Sequence, residues 1–414
     1  MSRIIFINRY FFPDHSATSQ ILSDLAFRLG AGGRDVHVIT SRQIYDDPTV
    51  LLPKTESIRG ISVHRVRTTN FGRGRLIKRA FDYLTFYLSA ARCLMAMAKA
   101  GDVIVAKTDP PLLSVLAFPI AYWHSARLVN WLQDLYPEVA VALGIPLISQ
   151  LAGPIARLRD ISLRRAACNV AISASMADRL RKLGVSSNRV AVIHNWSDDR
   201  AIFPVNAADN PLRTKWGLKG KFVVGYSGNL GRAHEFDTIL AAANNLRAHP
   251  DVAFVVIGGG KQFELLAARV RDVCLSDAFR FLPYQPREQL RYSLTLPDVH
   301  WISMRPEVEG TIFPSKFFGV AAAGRPIIAL TARQAEMASL VREHACGCVV
   351  EPGDAEALTE VILRLARDPQ ECEELGRQAR AMLEAKFTRD ASMQLWQDLL
   401  GPLLGQKLAT DAGV

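Results

Sequence analysis

Short apolar runs recur along this chain, each followed by an amphipathic stretch long enough for a helix, and this alternation restricts the fold more than any other feature. A strand–helix–strand rhythm calls for a parallel sheet with crossover helices, whose strands are buried on both faces and read as unbroken apolar segments. In the first half the runs predict strands at Ile4–Asn8, Val36–Thr40, Ser62–Val66, Val103–Ala106, Leu128–Trp131, Val170–Ile172 and Val190–Ile193. The first helix is expected from about Thr18 to Gly30, ended by Gly32-Gly33. Residues Asn195 to Asn210 carry no periodicity and contain Pro204, which reads as a linker. The rhythm then restarts with Phe222–Tyr226, Phe254–Ile257, Phe279–Leu282, Val299–Ile302 and Pro326–Leu330.

A length of 414 residues suits two domains better than one, and 49% hydrophobic residues suffice for two cores. The expected fold is therefore α/β, with two Rossmann-like doubly wound domains facing a cleft, over residues 1–200 and 205–387. A terminal helix at 388–405 follows the second core and is placed to return to the first domain. Sheets of this kind bind ligands beyond the carboxyl ends of their strands, so the chemistry is sought in the turns there.

Other classes are weakened by composition. A net charge of +10 suits anionic partners, but the basic residues are not interleaved with aromatics in any nucleic-acid module, so none is expected. The six cysteines include no C-x-x-C pair and read as reduced thiols. Met1-Ser2-Arg3 runs straight into the first strand, so no secretory signal is expected. The nearly uncharged stretch Pro110 to Tyr122 is too short to cross a bilayer, which needs about 20 apolar residues.

Four turns carry candidate chemistry. The first includes Asp14, His15 and Ser16 before Thr18; its small residues at a helix start either hold an anion or simply cap the helix. It lacks the G-x-G-x-x-G spacing of a dinucleotide site. The second, Tyr226-Ser227-Gly228-Asn229-Leu230-Gly231-Arg232-Ala233-His234, lets backbone approach a ligand at its glycines and adds Arg232, a planar cation suited to phosphate. The third, Gly258-Gly259-Gly260-Lys261, serves a nucleotide or merely a tight crossover, with Tyr284 a further nucleotide candidate. The fourth runs from Arg305 to Pro326. There Pro314 fits a first helical turn, and Ser315 and Lys316 follow at its positive end, where a lysine suits a diphosphate.

The segments VGYSGNLGRAHEFDTILAAA (Val224 to Ala243) and IFPSKFFGVAAAGRPII (Ile312 to Ile328) resemble the nucleotide-sugar half of family 4 retaining glycosyltransferases. The branch is the WbuB-like one of O-antigen, capsule and colanic-acid synthesis. YFFPDHSATSQILSDLAFRL (Tyr10 to Leu29), WLQDLYPE (Trp131 to Glu138) and VIHNWSD (Val192 to Asp198) resemble landmarks of the other half. The chain departs from that pattern at several places. A pair of glutamates in many relatives falls on Thr311 and Gly319, with Glu309 nearby as a substitute for the first. The glutamate missing at Gly319 contacts the donor ribose in relatives. An arginine–lysine pair falls on Asn229 and His234, and a histidine before an aspartate becomes Gln133-Asp134.

The resemblance implies a GT-B enzyme moving a hexosyl or N-acetylhexosaminyl group with retention, by front-side displacement, from a nucleotide diphosphate donor that is UDP by family habit. Arg232, Lys316 and Asp134 are the catalytic candidates. Gly228, Asn229, Arg232, His234, Ser315 and Lys316 are expected at the diphosphate, Asp14, His15, Ser16, Glu309 and Thr311 at the donor sugar or acceptor, and Gly259, Gly260 and Tyr284 at the nucleotide. No metal or other cofactor is expected, since cations already face the leaving group. A polyprenyl-diphosphate-linked or polysaccharide acceptor is implied, reached from the cytoplasm at the inner membrane face. Arg73, Arg75, Lys78 and Arg79 precede a helix striped with Ile77, Ala80, Phe81, Leu84, Leu88, Ala91 and Met95, and Arg157, Arg159, Arg164 and Arg165 form a second basic cluster. Such a stripe either faces the core or lies on anionic lipid. A nucleotide-sugar epimerase of the same fold and a non-catalytic sugar-nucleotide binder are the alternatives.

Overall fold

The computed structural model describes residues 2–45, 47, 50–71 and 76–405. Fourteen strands fall within them: β1 (Ile4–Ile7), β2 (Val36–Ser41), β3 (Thr55–Ile58), β4 (Ile61–Val66), β5 (Val103–Ala106), β6 (Arg127–Leu132), β7 (Cys168–Ala171), β8 (Val190–Val192), β9 (Phe222–Asn229), β10 (Val252–Gly259), β11 (Phe279–Leu282), β12 (Val299–Ser303), β13 (Ile327–Leu330) and β14 (Gly347–Val350). Strands β1, β5, β6, β12 and β13 are buried at every residue, which is why they read as continuous apolar runs. The α/β class and the two parallel sheets are as expected.

One compact unit comprises the residues up to His194, Gly310–Ile312 and the terminal helix from Ser392. Its sheet has the order β3-β4-β2-β1-β5-β6-β7-β8, parallel except for β3. The antiparallel β3–β4 hairpin turns through Arg59-Gly60, both with positive φ (49° and 83°), as a two-residue turn of this hand requires. Arg65 on β4 then holds Glu56 on β3 and donates to the Phe12 carbonyl (2.9 Å), fixing the first strand-to-helix turn. The Arg389–Gly405 helix buries Trp396 against Trp131 of β6, with ring centroids 4.6 Å apart.

The Leu76–Met97 helix turns Phe86, Ala90 and Leu94 into the core beside Ala117 and Ile120 of the Leu113–Trp123 helix. The core-facing alternative for its other stripe therefore fails, because Phe81, Leu84, Leu88 and Met95 are exposed. Arg73 and Arg75 lie outside the described residues. Arg159 does not belong to a basic surface either. It is buried, with bidentate bonds to Glu138 (2.8 and 2.6 Å) and a further bond to Asp160 (2.8 Å).

The second compact unit comprises Asn195–Glu309 and Phe313–Ala391. Its sheet is wholly parallel, in the order β11-β10-β9-β12-β13-β14, with a core in which Tyr226 and Trp301 sit among aliphatic side chains. No helix among the described residues is long and apolar enough to cross a membrane.

Candidate active site

In the second unit the site is built on the carboxyl ends of β9 and β10. These strands run in register to their last residues, pairing Gly228 with Gly258 and Asn229 with Gly259. A side chain has no room where the two turns meet: a Cβ on Gly258 would lie 2.1 Å from the Gly228 carbonyl oxygen, and one on Gly260 would lie 2.3 Å from Asn229 Oδ1. Gly228, Gly258 and Gly260 have φ of 129°, 135° and 112°, so glycine is favoured at all three by strain, and at Gly258 and Gly260 by space as well. A tight crossover thus accounts for the third turn without a ligand. Tyr284 is exposed, and its ring edge lies 3.1 Å from where a Gly259 Cβ would stand.

Lys316 reaches this double turn. Its Nζ donates to the Tyr226 hydroxyl (2.6 Å) and to His234 Nε2 (2.7 Å), and lies 3.5 Å from the Asn229 carbonyl. The tautomer of His234 follows from its neighbours. Nδ1 is 2.6 Å from the Ser303 carbonyl, which only accepts, so Nδ1 carries the proton and Nε2 is left to accept from Lys316. Burial, with the Lys316 charge beside it, pushes His234 down to about 3, so it stays neutral. Burial also pushes the Lys316 ammonium down to about 7. Among the described residues no carboxylate pairs with it. A cation lined only by neutral acceptors retains a strong demand for an anion.

The other candidates of this unit stand around that lysine with varied engagement. Arg232 is exposed. Ser315 is the residue before the Lys316–Ala322 helix and makes no side-chain cap bond. Pro314 lies one position further out, not within the first helical turn as expected. That helix has 7 residues, so its dipole is a smaller contribution than the lysine charge itself. Glu309 accepts from the Glu336 backbone N–H (3.1 Å) at the start of the Glu336–Glu343 helix, which commits one carboxylate oxygen to a cap. Gly319 leaves space, since a Cβ there would make only ordinary contact with Leu294 (3.7 Å).

The first unit gathers a second group. Asp134 at the end of β6 forms an antiparallel bridge with Ile312, and the Leu135 N–H donates to the Thr311 carbonyl (2.8 Å). Thr311 thus stands beside Asp134, in a different unit from Lys316. Burial, with Asp109 adding to it, lifts the Asp134 carboxyl to about 6. Lys107 is fully buried, donates to the Thr18 carbonyl (2.9 Å) and lies 4.1 Å above the Trp131 ring. Desolvation brings its ammonium down to about 7 against the pull of Asp109 and Asp134. Lys107, Thr108, Asp134 and Tyr136 line a narrow pocket beyond the ends of β5 and β6.

The first turn is occupied by its own contacts. Asp14 is buried and accepts from Ser16 N–H (2.8 Å), Ser16 Oγ–H (2.5 Å) and Tyr45 N–H. The Asp14 carboxylate thus helps to build the turn in which the sequence places a donor-sugar or acceptor contact. Ser16 precedes the Ala17–Ala31 helix, but its hydroxyl goes to Asp14 and makes no cap bond. His15 is exposed. Sequence reasoning missed Tyr226 and Ser303 around Lys316, and Lys107 and Asp109 around Asp134. A signal existed for the last pair: Lys107-Thr108-Asp109 puts charges directly after the apolar run of β5. Among the described residues no three His, Cys, Asp or Glu side chains gather as a metal site would require.

Residues 17–196 match the glycosyl transferase 4-like domain family, and residues 209–382 match the glycosyl transferases group 1 family. The chain is a GT-B glycosyltransferase. Among relatives of this glycosyltransferase, the probable glycosyltransferase WbjE of Pseudomonas aeruginosa is 24% identical over 98% of this chain and 99% of its own length. The putative colanic acid biosynthesis glycosyl transferase WcaI of Escherichia coli is 28% identical over 69% of this chain and 72% of its own. Anabaena HepE, solved with UDP, shares the fold with a TM-score of 0.72 at 16% identity, covering 96% of this chain and 99% of that one. The glycosyltransferase fold thus places the Lys316 turn in the group 1 half and Asp134 in the 4-like half.

Proposed function

We propose that this glycosyltransferase belongs to the WbuB-like branch and transfers a hexosyl or N-acetylhexosaminyl group with retention, from a UDP-sugar to a polyprenyl-diphosphate-linked or polysaccharide acceptor. The product is a capsule, O-antigen or related exopolysaccharide, made at the inner face of the cytoplasmic membrane without a metal cofactor. The observation that carries the reading is the half-buried Lys316 ammonium, held among the described residues by the neutral groups Tyr226, His234 and the Asn229 carbonyl. An anionic diphosphate beside it supplies the missing charge, and that charge grows as the sugar–phosphate bond breaks. Arg232 is exposed in the same turn and closes on the diphosphate from solvent; Gly228 and Ser315 offer backbone N–H groups. Asp134 orients the reacting hydroxyl. The names of WcaI and of the HepE–UDP complex support the polysaccharide product and the uridine donor.

Calorimetric titration with UDP and GDP tests this directly. Saturable UDP binding, weakened in Lys316→Ala, is expected. Binding of neither nucleotide would refute the donor assignment.

The pH dependence of UDP binding follows from the same lysine. In the free protein Lys316 sits near 7, so it is charged below that pH and neutral above it. An anion stabilises the charged form and raises its pKa, so binding takes up a proton between pH 7 and 9, where phosphate is already fully ionised. UDP affinity is therefore expected to fall by about tenfold per pH unit above 7. Titrations in buffers of different ionisation enthalpy measure the uptake, and zero uptake at pH 8 would contradict the assignment.

A further inference from the structure

A lysine ammonium has three N–H groups and no acceptor, so its partners can be counted. Lys316 commits two of the three to the fold, one to the Tyr226 hydroxyl (2.6 Å) and one to His234 Nε2 (2.7 Å). Among the described residues the third has only the Asn229 carbonyl at 3.5 Å, the outer limit for a hydrogen bond. The side chain is guided along its length as well. Its ammonium lies 4.6 Å from the centre of the Tyr226 ring, and its Cε passes 3.4 Å from where a Cβ on Gly228 would stand.

Both acceptors are themselves fixed, and the proton on each has one place to go. The Tyr226 hydroxyl donates to the Asn229 carbonyl (2.8 Å), so its oxygen meets Lys316 as an acceptor. The Tyr226 ring is buried against Trp301, with centroids 4.6 Å apart. His234 gives its Nδ1 proton to the Ser303 carbonyl (2.6 Å). The backbone on either side of His234 is pinned to the end of β12. Arg305 N–H donates to the Ala233 carbonyl (3.0 Å), and Glu235 N–H donates to Ser303 Oγ (3.1 Å). The bonds thus run outward from Lys316 to a backbone carbonyl at each end. A neutral amine keeps two N–H groups, enough for Tyr226 and His234. Loss of the proton therefore removes the third N–H alone and puts a lone pair in its place.

We infer that Tyr226 and His234 are positioning residues of the donor site, which hold two N–H groups of Lys316 and leave the third for an oxygen of the diphosphate. The inference rests on the reading of Lys316 as the leaving-group cation. It gives His234 a role other than direct contact with phosphate, since both of its ring nitrogens are taken. A donor held in this way needs no rearrangement as charge grows on the leaving group. Among the described residues Lys316 is faced by Tyr226 and Asn229 of β9 and His234 of the following turn, and no carboxylate pairs with it. Arg232 of that turn is exposed.

Calorimetric titration with UDP between pH 6 and 9 tests the assignment, on the parent, Tyr226→Phe, His234→Gln and His234→Leu. Phenylalanine keeps the ring beside the cation and deletes only the acceptor, so UDP affinity is expected to fall by about tenfold at pH 8. An acceptor stabilises the charged lysine, so without it the ammonium loses its proton at lower pH. The gap between the parent and Tyr226→Phe is therefore expected to widen from pH 6 to pH 8. A tyrosine that merely packs would give the same gap at every pH. His234→Gln, whose amide oxygen still accepts from Lys316, is expected to bind UDP within about threefold of the parent, and His234→Leu to resemble Tyr226→Phe. Melting temperatures near that of the parent are expected for Tyr226→Phe and His234→Gln, which decide the matter if His234→Leu fails to fold. Parental affinity in Tyr226→Phe, or a gap independent of pH, would overturn the inference, as would equal losses in the two His234 variants. If Lys316→Ala bound UDP like the parent, the donor reading would fall and the inference with it. UDP binding that depends on Lys316 but on neither Tyr226 nor His234 would sink the inference alone.

Discussion

Lys316→Ala is expected to lower kcat/KM by about 30- to 1,000-fold, the equivalent of about 2–4 kcal/mol of transition-state stabilisation. The estimate rests on what the lysine faces. Its ammonium is desolvated, and its hydrogen bonds go to neutral groups, Tyr226 and His234. A residue holding the fold together in this position would be expected to meet a carboxylate. Removing it deletes a charge that the folded state keeps at a cost, and leaves the Tyr226 hydroxyl with its other bond, to the Asn229 carbonyl (2.8 Å). The melting temperature should accordingly hold or rise while transfer collapses. That split between stability and turnover separates a leaving-group cation from a structural lysine. Near-normal kcat/KM with any available UDP-sugar pair would remove Lys316 from the mechanism, and the pH dependence of UDP binding should vanish with it.

The sequence made the sheets legible because parallel strands are buried on both faces, and the same burial explains what it concealed. Runs such as Ile4–Ile7 and Val103–Ala106 can be read directly, since no position in them meets water. Strand β3 escaped: Thr55-Glu56-Ser57-Ile58 alternates between exposed and half-buried residues and has no apolar run. Its signal was the Arg59-Gly60 turn. Lys316 was legible from its Pro-Ser-Lys setting. Its partners were not, because Tyr226 lies inside a strand where an aromatic needs no explanation, and Ser303 contributes only a carbonyl. The partners of Asp14 were hidden for a related reason. The sequence shows an aspartate in a glycine-poor turn, and only the fold shows that Ser16 and Tyr45 donate to it. The helical stripe at Phe81, Leu84, Leu88 and Met95 was visible as periodicity, but periodicity gives a face without saying what covers it.

Gly258→Ala is expected to cost about 3 kcal/mol or more in stability and to abolish UDP binding. Two penalties combine. The residue has φ of 135°, which a side chain adopts only under strain of about 1–3 kcal/mol. The new methyl would also stand 2.1 Å from the Gly228 carbonyl oxygen and 2.9 Å from its carbon, so the ends of β9 and β10 must separate. Backbone cannot swing aside as a lysine tip does. The separation therefore displaces Asn229, whose carbonyl completes the lysine's surroundings, and the functional loss follows from the structural one. Gly319 supplies the control in the same region. It lies in the Lys316–Ala322 helix, where a Cβ would meet only Leu294 at an ordinary 3.7 Å. Gly319→Ala is thus expected to stabilise by about 0.5–1 kcal/mol, through helix propensity alone. Thermal or denaturant melting of the two variants reads the contrast. If Gly258→Ala melted with the parent, the tight pairing of the two turns would not be what shapes the lysine site.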